Sequence, residues 1–292
     1  MATVLSMTAV KEKEIRLINK GINTRKKIAF FTVTAAVYIL AIMAAGLIMP
    51  PELYDVYYEN KFISPCFAHL FGTDFMGRDM FWRSIKGLSN SIFVGMAASA
   101  VSSVIALVFG AAAAVCGGRI DRIINWLVDC FMGMPHLVLL LLISFMMGRG
   151  GFGVAFAVAV THWPELTRIV RAEVLQVKEA QYVKAAYKMG HSKFKVAKEH
   201  ILPHVMPVYL VGLVLLFPHA IMHEASLTFL GFGFSAATPA IGGILSEAMK
   251  HLVTGKWWLC VFPGLMLLVA VMLFDVIGEQ LKRLMNPASG NE

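Results

Sequence analysis

Long apolar stretches alternate with short charged ones along this chain, and the alternation predicts membrane-spanning helices. The first stretch, Ile28–Met49, runs 22 residues without a charge. A helix crossing the hydrocarbon core needs about 20. The run is too long for the apolar core of a secretory signal and ends at Pro50-Pro51, so it reads as a retained helix. Further spans are expected over Ser91–Cys116, Ile124–Met147 with an interruption at Pro135, Val154–Arg171, Val205–Phe232 and Trp257–Ile277. A tight glycine turn, Gly148–Gly153, separates the third from the fourth, and Gly233–Lys256 reads as re-entrant or interfacial. The expected fold class is an all-α integral membrane protein with six transmembrane helices.

The charged stretch between the fourth and fifth spans has its own pattern. Ala180, Val183, Ala186 and Tyr187 recur at helical spacing before Gly190. After it, His191-Ser192 supplies an N-cap, and Phe194, Ala197 and Ile201 mark a second apolar stripe. Pro203 and Pro207 are expected to end that second helix. Gln181–Pro207 therefore reads as helix, glycine turn, helix beside the membrane, with small residues that let another backbone approach closely.

Only 15% of the 292 residues are charged and 58% are hydrophobic, against about 25% charged in soluble domains. A net charge of +8 raises nucleic-acid binding as a reading, but the basic residues lie between apolar runs. With both termini inside, 19 of the 26 Lys and Arg fall on the inner side and 7 on the outer, as the positive-inside rule requires. The chain then divides into a cytoplasmic arm at 1–27, the first transmembrane helix at 28–49, an amphipathic extracytoplasmic loop at 50–88, a core of spans at 89–286 and a tail at 287–292. Asp79 and Arg83, four apart, are expected to support a helix there, and the carboxylates of Asp74 and Asp79 read as caps and ion pairs. Cys66, Cys116, Cys130 and Cys260 show no paired spacing and imply neither a disulfide framework nor a zinc site.

No GxxxxGK[ST], GxSxG or HExxH motif occurs, so nucleotide binding and familiar hydrolytic chemistry are unsupported. No cofactor is expected on this chain. Ionisable residues inside spans are costly and draw attention: Asp129, His136, His162, Glu165, His219, His223, Glu224 and Asp275. His219 and His223 share one helical face, and Glu224 points about 100° away. The two imidazoles either pack in the bundle as neutral, hydrogen-bonded residues or line a transport pathway and contact a metal ion briefly. Met132, Met134, Met146, Met147 and Met222 read as soft ligands or, more simply, as adaptable packing. Arg168 and Arg171 read as topology determinants or lipid-phosphate contacts.

Lys184-Ala185-Ala186, then Gly190, then His200-Ile201-Leu202-Pro203 resembles the EAA loop of ABC-importer permeases. Lys184 departs from the usual Glu, and His204 stands where Asn is frequent. Gly72-Thr-Asp-x-x-Gly-Arg-Asp79 and the Tyr182-Val183-x-Ala-Ala form are similar to the dipeptide/oligopeptide/nickel subfamily, over roughly residues 70–286. The resemblance implies a cytoplasmic coupling-helix loop, with Tyr182, Ala185, Ala186, Gly190, His200, Leu202 and Pro203 meeting an ATPase. It also implies a second homologous permease subunit, two ATP-binding subunits that use the ATP, an extracytoplasmic substrate-binding protein and residence in the bacterial inner membrane. Pro218-His-Ala-Ile-Met-His-Glu and Thr161-His162-Trp163 look more like the C-type subunit of nickel or metal-chelate permeases. Nickel or a metal–metallophore complex is thus the expected cargo, with His162, His219, His223 and Glu224 as pathway residues. A peptide importer is the alternative. An ion channel and an intramembrane enzyme remain open as other classes, and copurification with ATPases separates them.

Overall fold

Apolar runs fold as helices because nothing in a bilayer core satisfies a free backbone N–H or C=O. The computed structural model describes residues 29–285, so the N-terminal arm at 1–27 and the tail at 287–292 lie outside the described residues. Among the described residues there is no β-strand. Four helices are long and apolar enough to span: α1 (Ala29–Ile48), α2 (Met80–Cys116), the continuous helix Lys193–Phe229 and the helix beginning at Trp258. α1 buries Ala35, Ile39 and Ile42 along one face and exposes Phe30, Phe31, Val37 and Leu40 on the rest, as a helix at the lipid-facing edge of a bundle does.

The remaining expected spans are broken. α3 (Gly118–Gly133) and α4 (His136–Met146) meet at a 96° bend around Pro135 and count as a fifth span only if taken together. Val154–Arg171 is not one helix. α5 (Gly151–Thr161) and α6 (Trp163–Lys178) meet at His162, with Pro164 just inside α6. Pro164 has no N–H to bond back into α5 and its ring crowds the preceding turn. The expected count of six therefore stands as four spanning helices, or five with the bent pair, among the described residues.

α2 starts at Met80 rather than Ser91. The Asp79 side chain caps it, accepting from the N–H groups of Phe81 (2.9 Å) and Trp82 (3.3 Å). At 37 residues it extends about 55 Å, well beyond a hydrocarbon core of about 30 Å. It packs along α6 and α9 through small residues. At Gly110 an added Cβ would lie 2.8 Å from the Val170 side chain and 2.9 Å from the Thr167 carbonyl, so only glycine permits this approach.

One end of α2 joins a core of Met80, Ile244, Ala248, Trp258 and Leu259. The other end joins Val174, Val177, Val183, Ala186, Val196 and Ile201. These last four come from α7 (Gln181–Lys188), α8 (Lys193–Val196) and a π-helical turn at Ala197–Ile201. The turn runs directly into α9 (Leu202–Phe229), so Pro203 and Pro207 do not end the helix. Pro203 sits in the first turn of α9, where its missing N–H costs little. α10 (Ile241–Leu252) packs on α9 and α11 (Trp258–Met285) and occupies the stretch expected to be re-entrant or interfacial.

Candidate functional site

The two helix breaks and the middle of α9 place three histidines together. His136 opens α4 directly after Pro135. His162 is the junction of α5 and α6. His223 lies on α9, beyond the internal Pro218. Their rings contact edge-on, with centroids 4.8 Å apart for His136–His162, 4.7 Å for His136–His223 and 5.1 Å for His162–His223. One nitrogen from each lies within 4.8 Å of the others.

His162 is the best defined of the three. Its Nδ1 is 2.9 Å from the Val158 carbonyl oxygen. A carbonyl only accepts, so Nδ1 carries the proton and Nε2 presents a lone pair. That Nε2 is buried and has no hydrogen-bond partner. The cluster lines a cavity of about 240 Å³, shared with Phe131, Met132, Met134, Thr161, Pro164, Glu165, Leu216 and His219.

The other residues singled out in the sequence are distributed as follows. His219 lines the same cavity but is exposed; the rings packed on His223 are those of His136 and His162. Glu224 does not line the cavity. It is fully buried, its Oε1 accepting from the Thr228 hydroxyl at 2.7 Å. Asp275 is exposed on α11. Asp129 pairs with Arg168 at 2.6 Å, and Arg171 makes a two-pronged contact with Asp121 at 2.6 and 2.8 Å. Both arginines, expected as topology determinants or lipid-phosphate contacts, thus tie α6 to α3. Met132 and Met134 line the cavity, while Met146, Met147 and Met222 are exposed. In the sequence, His136 stands out only as a polar residue within a span. Its further signal is the position directly after Pro135, where a bend redirects the chain.

The stretch around Gly190 forms the helix–turn–helix that its pattern predicted. Gly190 has φ +81, and an added Cβ would meet nothing within 4 Å, so the demand for glycine is conformational. Ser192 caps α8, accepting from the Lys195 N–H at 3.3 Å. Val183, Ala186 and Val196 hold the loop to the bundle. Tyr182, Ala185, Gly190 and Pro203 face outward, with His200 and Leu202 half-buried. Phe194 lines one apolar groove with Ala197 and Ile201, the other members of its expected stripe, yet is 79% exposed; Met189 is 69% exposed. Lys184 pairs with Glu179 at 2.7 Å and holds that carboxyl below its usual range. At the opposite end of α2, Arg83 does not pair with Asp79. It reaches Asp74 (3.0 Å) and Glu247 (2.7 Å) instead.

Long, closely packed apolar helices with an outward-facing double-helix loop define the class as an all-helical membrane protein. The fold is similar to a chain of the MetNI methionine ABC transporter solved in inward-facing conformations, with a TM-score of 0.58 and 17% identity over 71% of this chain and 98% of that one. The chain belongs to the family of binding-protein-dependent transport system inner membrane components, matched over residues 85–288. It is 34% identical to the Bacillus subtilis dipeptide transport system permease protein DppC, over 77% of this chain and 70% of that one. It is 31% identical to the probable D,D-dipeptide permease DdpC of Escherichia coli, over 89% of each. The B. subtilis oligopeptide permease OppC is 34% identical over 76% of this chain and 73% of its own length. These relatives are named for peptides, and they do not support the expectation of nickel or a metal chelate drawn from the histidines.

Proposed function

We propose that this chain forms half of the translocation pathway of an ABC importer for dipeptides or short oligopeptides. The observation that carries this reading is the similarity to a D,D-dipeptide permease over 89% of both chains. A second permease subunit forms the other half, two ATPase subunits hydrolyse the ATP, and a substrate-binding protein delivers the peptide from outside. This chain is non-catalytic. The Gly190 loop lies in the cytosol with both termini, a placement supported by the 19 to 7 distribution of basic residues. Tyr182, Ala185, Gly190 and Pro203 present an outward face there for an ATPase to dock on. Importing nickel or a metal chelate is the second reading, favoured by the three clustered histidines.

Uptake of a labelled dipeptide and of radioactive nickel, measured in parallel in cells carrying the whole transporter, separates the two. ATP-dependent dipeptide uptake is expected. Nickel uptake without dipeptide uptake, with or without metallophore, overturns the peptide reading. Placement is tested by Lys193→Cys, which should be labelled only from the cytosolic face.

A further inference from the structure

We propose that His136, His162 and His223 form a binding site for one divalent transition-metal ion of borderline softness, such as Ni²⁺, Zn²⁺ or Co²⁺. The inference rests on this geometry alone and goes beyond the peptide reading.

Three observations carry it. The first is convergence: the nitrogens lie within 4.8 Å of one another. Nitrogens held at 2.0–2.1 Å around a tetrahedral ion sit about 3.3 Å apart. The site therefore closes onto an ion by about 1.5 Å at most, a movement within reach of side-chain rotation and a small change at the helix breaks. The second is the state of His162. The residue is 8% exposed, its Nδ1–H is committed to the Val158 carbonyl, and its Nε2 lone pair is without a hydrogen-bond partner. A hydrogen bond from one ring nitrogen to a backbone carbonyl is the usual way a protein orients a metal-binding imidazole and fixes its tautomer. The third is room. The cavity of about 240 Å³ accommodates an ion with water or a small ligand in its open coordination positions, and Glu165 and His219 line it.

Imidazole nitrogen suits the borderline divalent ions and not Mg²⁺ or Ca²⁺, which take oxygen. The placement also has a mechanical consequence. His136 sits beside the Pro135 bend, His162 is the α5–α6 break and His223 is on α9. An ion held by all three pins two hinges to the long helix, so occupancy restrains the relative movement of these elements.

The test uses the assembled transporter, purified through a tag without histidine, in equilibrium dialysis against NiCl₂ and ZnCl₂ with MgCl₂ as control. The wild type should bind Ni²⁺ and Zn²⁺ at this site, and NiCl₂ should raise its Tm. His136→Ala and His223→Ala should each weaken binding about tenfold or more. His204→Ala, an exposed histidine on the first turn of α9, should leave it unchanged. Size-exclusion chromatography checks assembly, and His136→Gln and His223→Gln replace any alanine variant that fails to assemble. Co²⁺ should give ligand-field bands in the wild type that the glutamine variants lack. Absence of Ni²⁺ and Zn²⁺ binding in the wild type, or equal binding in the His136 and His223 variants, overturns the site. Dipeptide uptake without metal binding removes the site and leaves the peptide reading. Metal binding without dipeptide uptake does the reverse.

Discussion

Two polar clusters sit inside this helical bundle, and they differ in whether their atoms have partners. In the cluster at the start of α2, Arg83 is 3% exposed and bonds both Asp74 and Glu247. Arg78 reaches the same two carboxylates at 2.6 and 3.1 Å. Asp74 also accepts from the backbone N–H groups of Met76 and Arg78. Each charge there is matched, and the cluster ties the chain before α2 to α10. In the cavity cluster, the His162 Nε2 has no partner. Burial alone thus does not mark a functional site. A satisfied network holds the fold together, whereas an unsatisfied group beside open space is free to meet something else.

Substitutions should affect the two clusters unequally, with the largest effect at the paired one. Arg83→Ala leaves Arg78 as the one cation among the described residues facing both the Asp74 and Glu247 carboxylates beside a buried hole, and losing one partner from such a buried network should cost about 3 kcal/mol, the low end for breaking a buried pair. The expected result is loss of assembled transporter, read by size exclusion and thermal unfolding; a variant of wild-type Tm would dissolve the distinction. Next comes Thr228→Val, which removes the hydroxyl that donates to the buried Glu224. Leaving that carboxylate short of a partner should cost about 1–3 kcal/mol, seen as a lower Tm with little change in metal binding. Gly190→Val should cost about 1–2 kcal/mol through its left-handed backbone. Because no neighbour crowds Gly190, membrane insertion should survive, and the loss should appear as weaker ATPase association or uncoupled hydrolysis. Normal assembly and transport in this variant would remove Gly190 as the hinge of the loop. The smallest effect on stability belongs to the double variant His136→Ala with His223→Ala. Their rings meet edge to face beside an open cavity, so each ring pair should contribute only about 0.5 kcal/mol, the low end for aromatic pairs. Thermal unfolding should show a correspondingly small drop in Tm. A drop as large as that of Arg83→Ala would show that the histidines are structural after all.

The readable part of this site is the part written in neighbouring residues. Ser192 and Asp79 cap helices, and the Gly190 turn has a positive φ, because each depends on residues within one turn of chain. His219 and His223 stand out as a pair because a spacing of four is visible in sequence. Nothing in the sequence joins His136 to them, since its approach depends on the 96° bend at Pro135. The same local spacing rule assigns Arg83 to Asp79, yet the side chain goes to Glu247 on α10. Periodicity puts Phe194 on one apolar stripe with Ala197 and Ile201, and the three do line one groove, but that the groove leaves the Phe194 ring largely exposed is a tertiary outcome.

The sequence by itself determined the membrane class, the positions of the apolar runs and the helix–glycine–helix loop. These follow from transfer of apolar side chains out of water and from local backbone preferences, which act over a few residues at a time. Only the tertiary structure decided that the fourth expected span breaks at His162, that the interruption at Pro135 is a 96° bend, and that His136, His162 and His223 converge. Such contacts depend on where bends aim each helix and which small residues let helices approach. A proline in the sequence announces that a bend is allowed, but its direction is set by the helices packed against it.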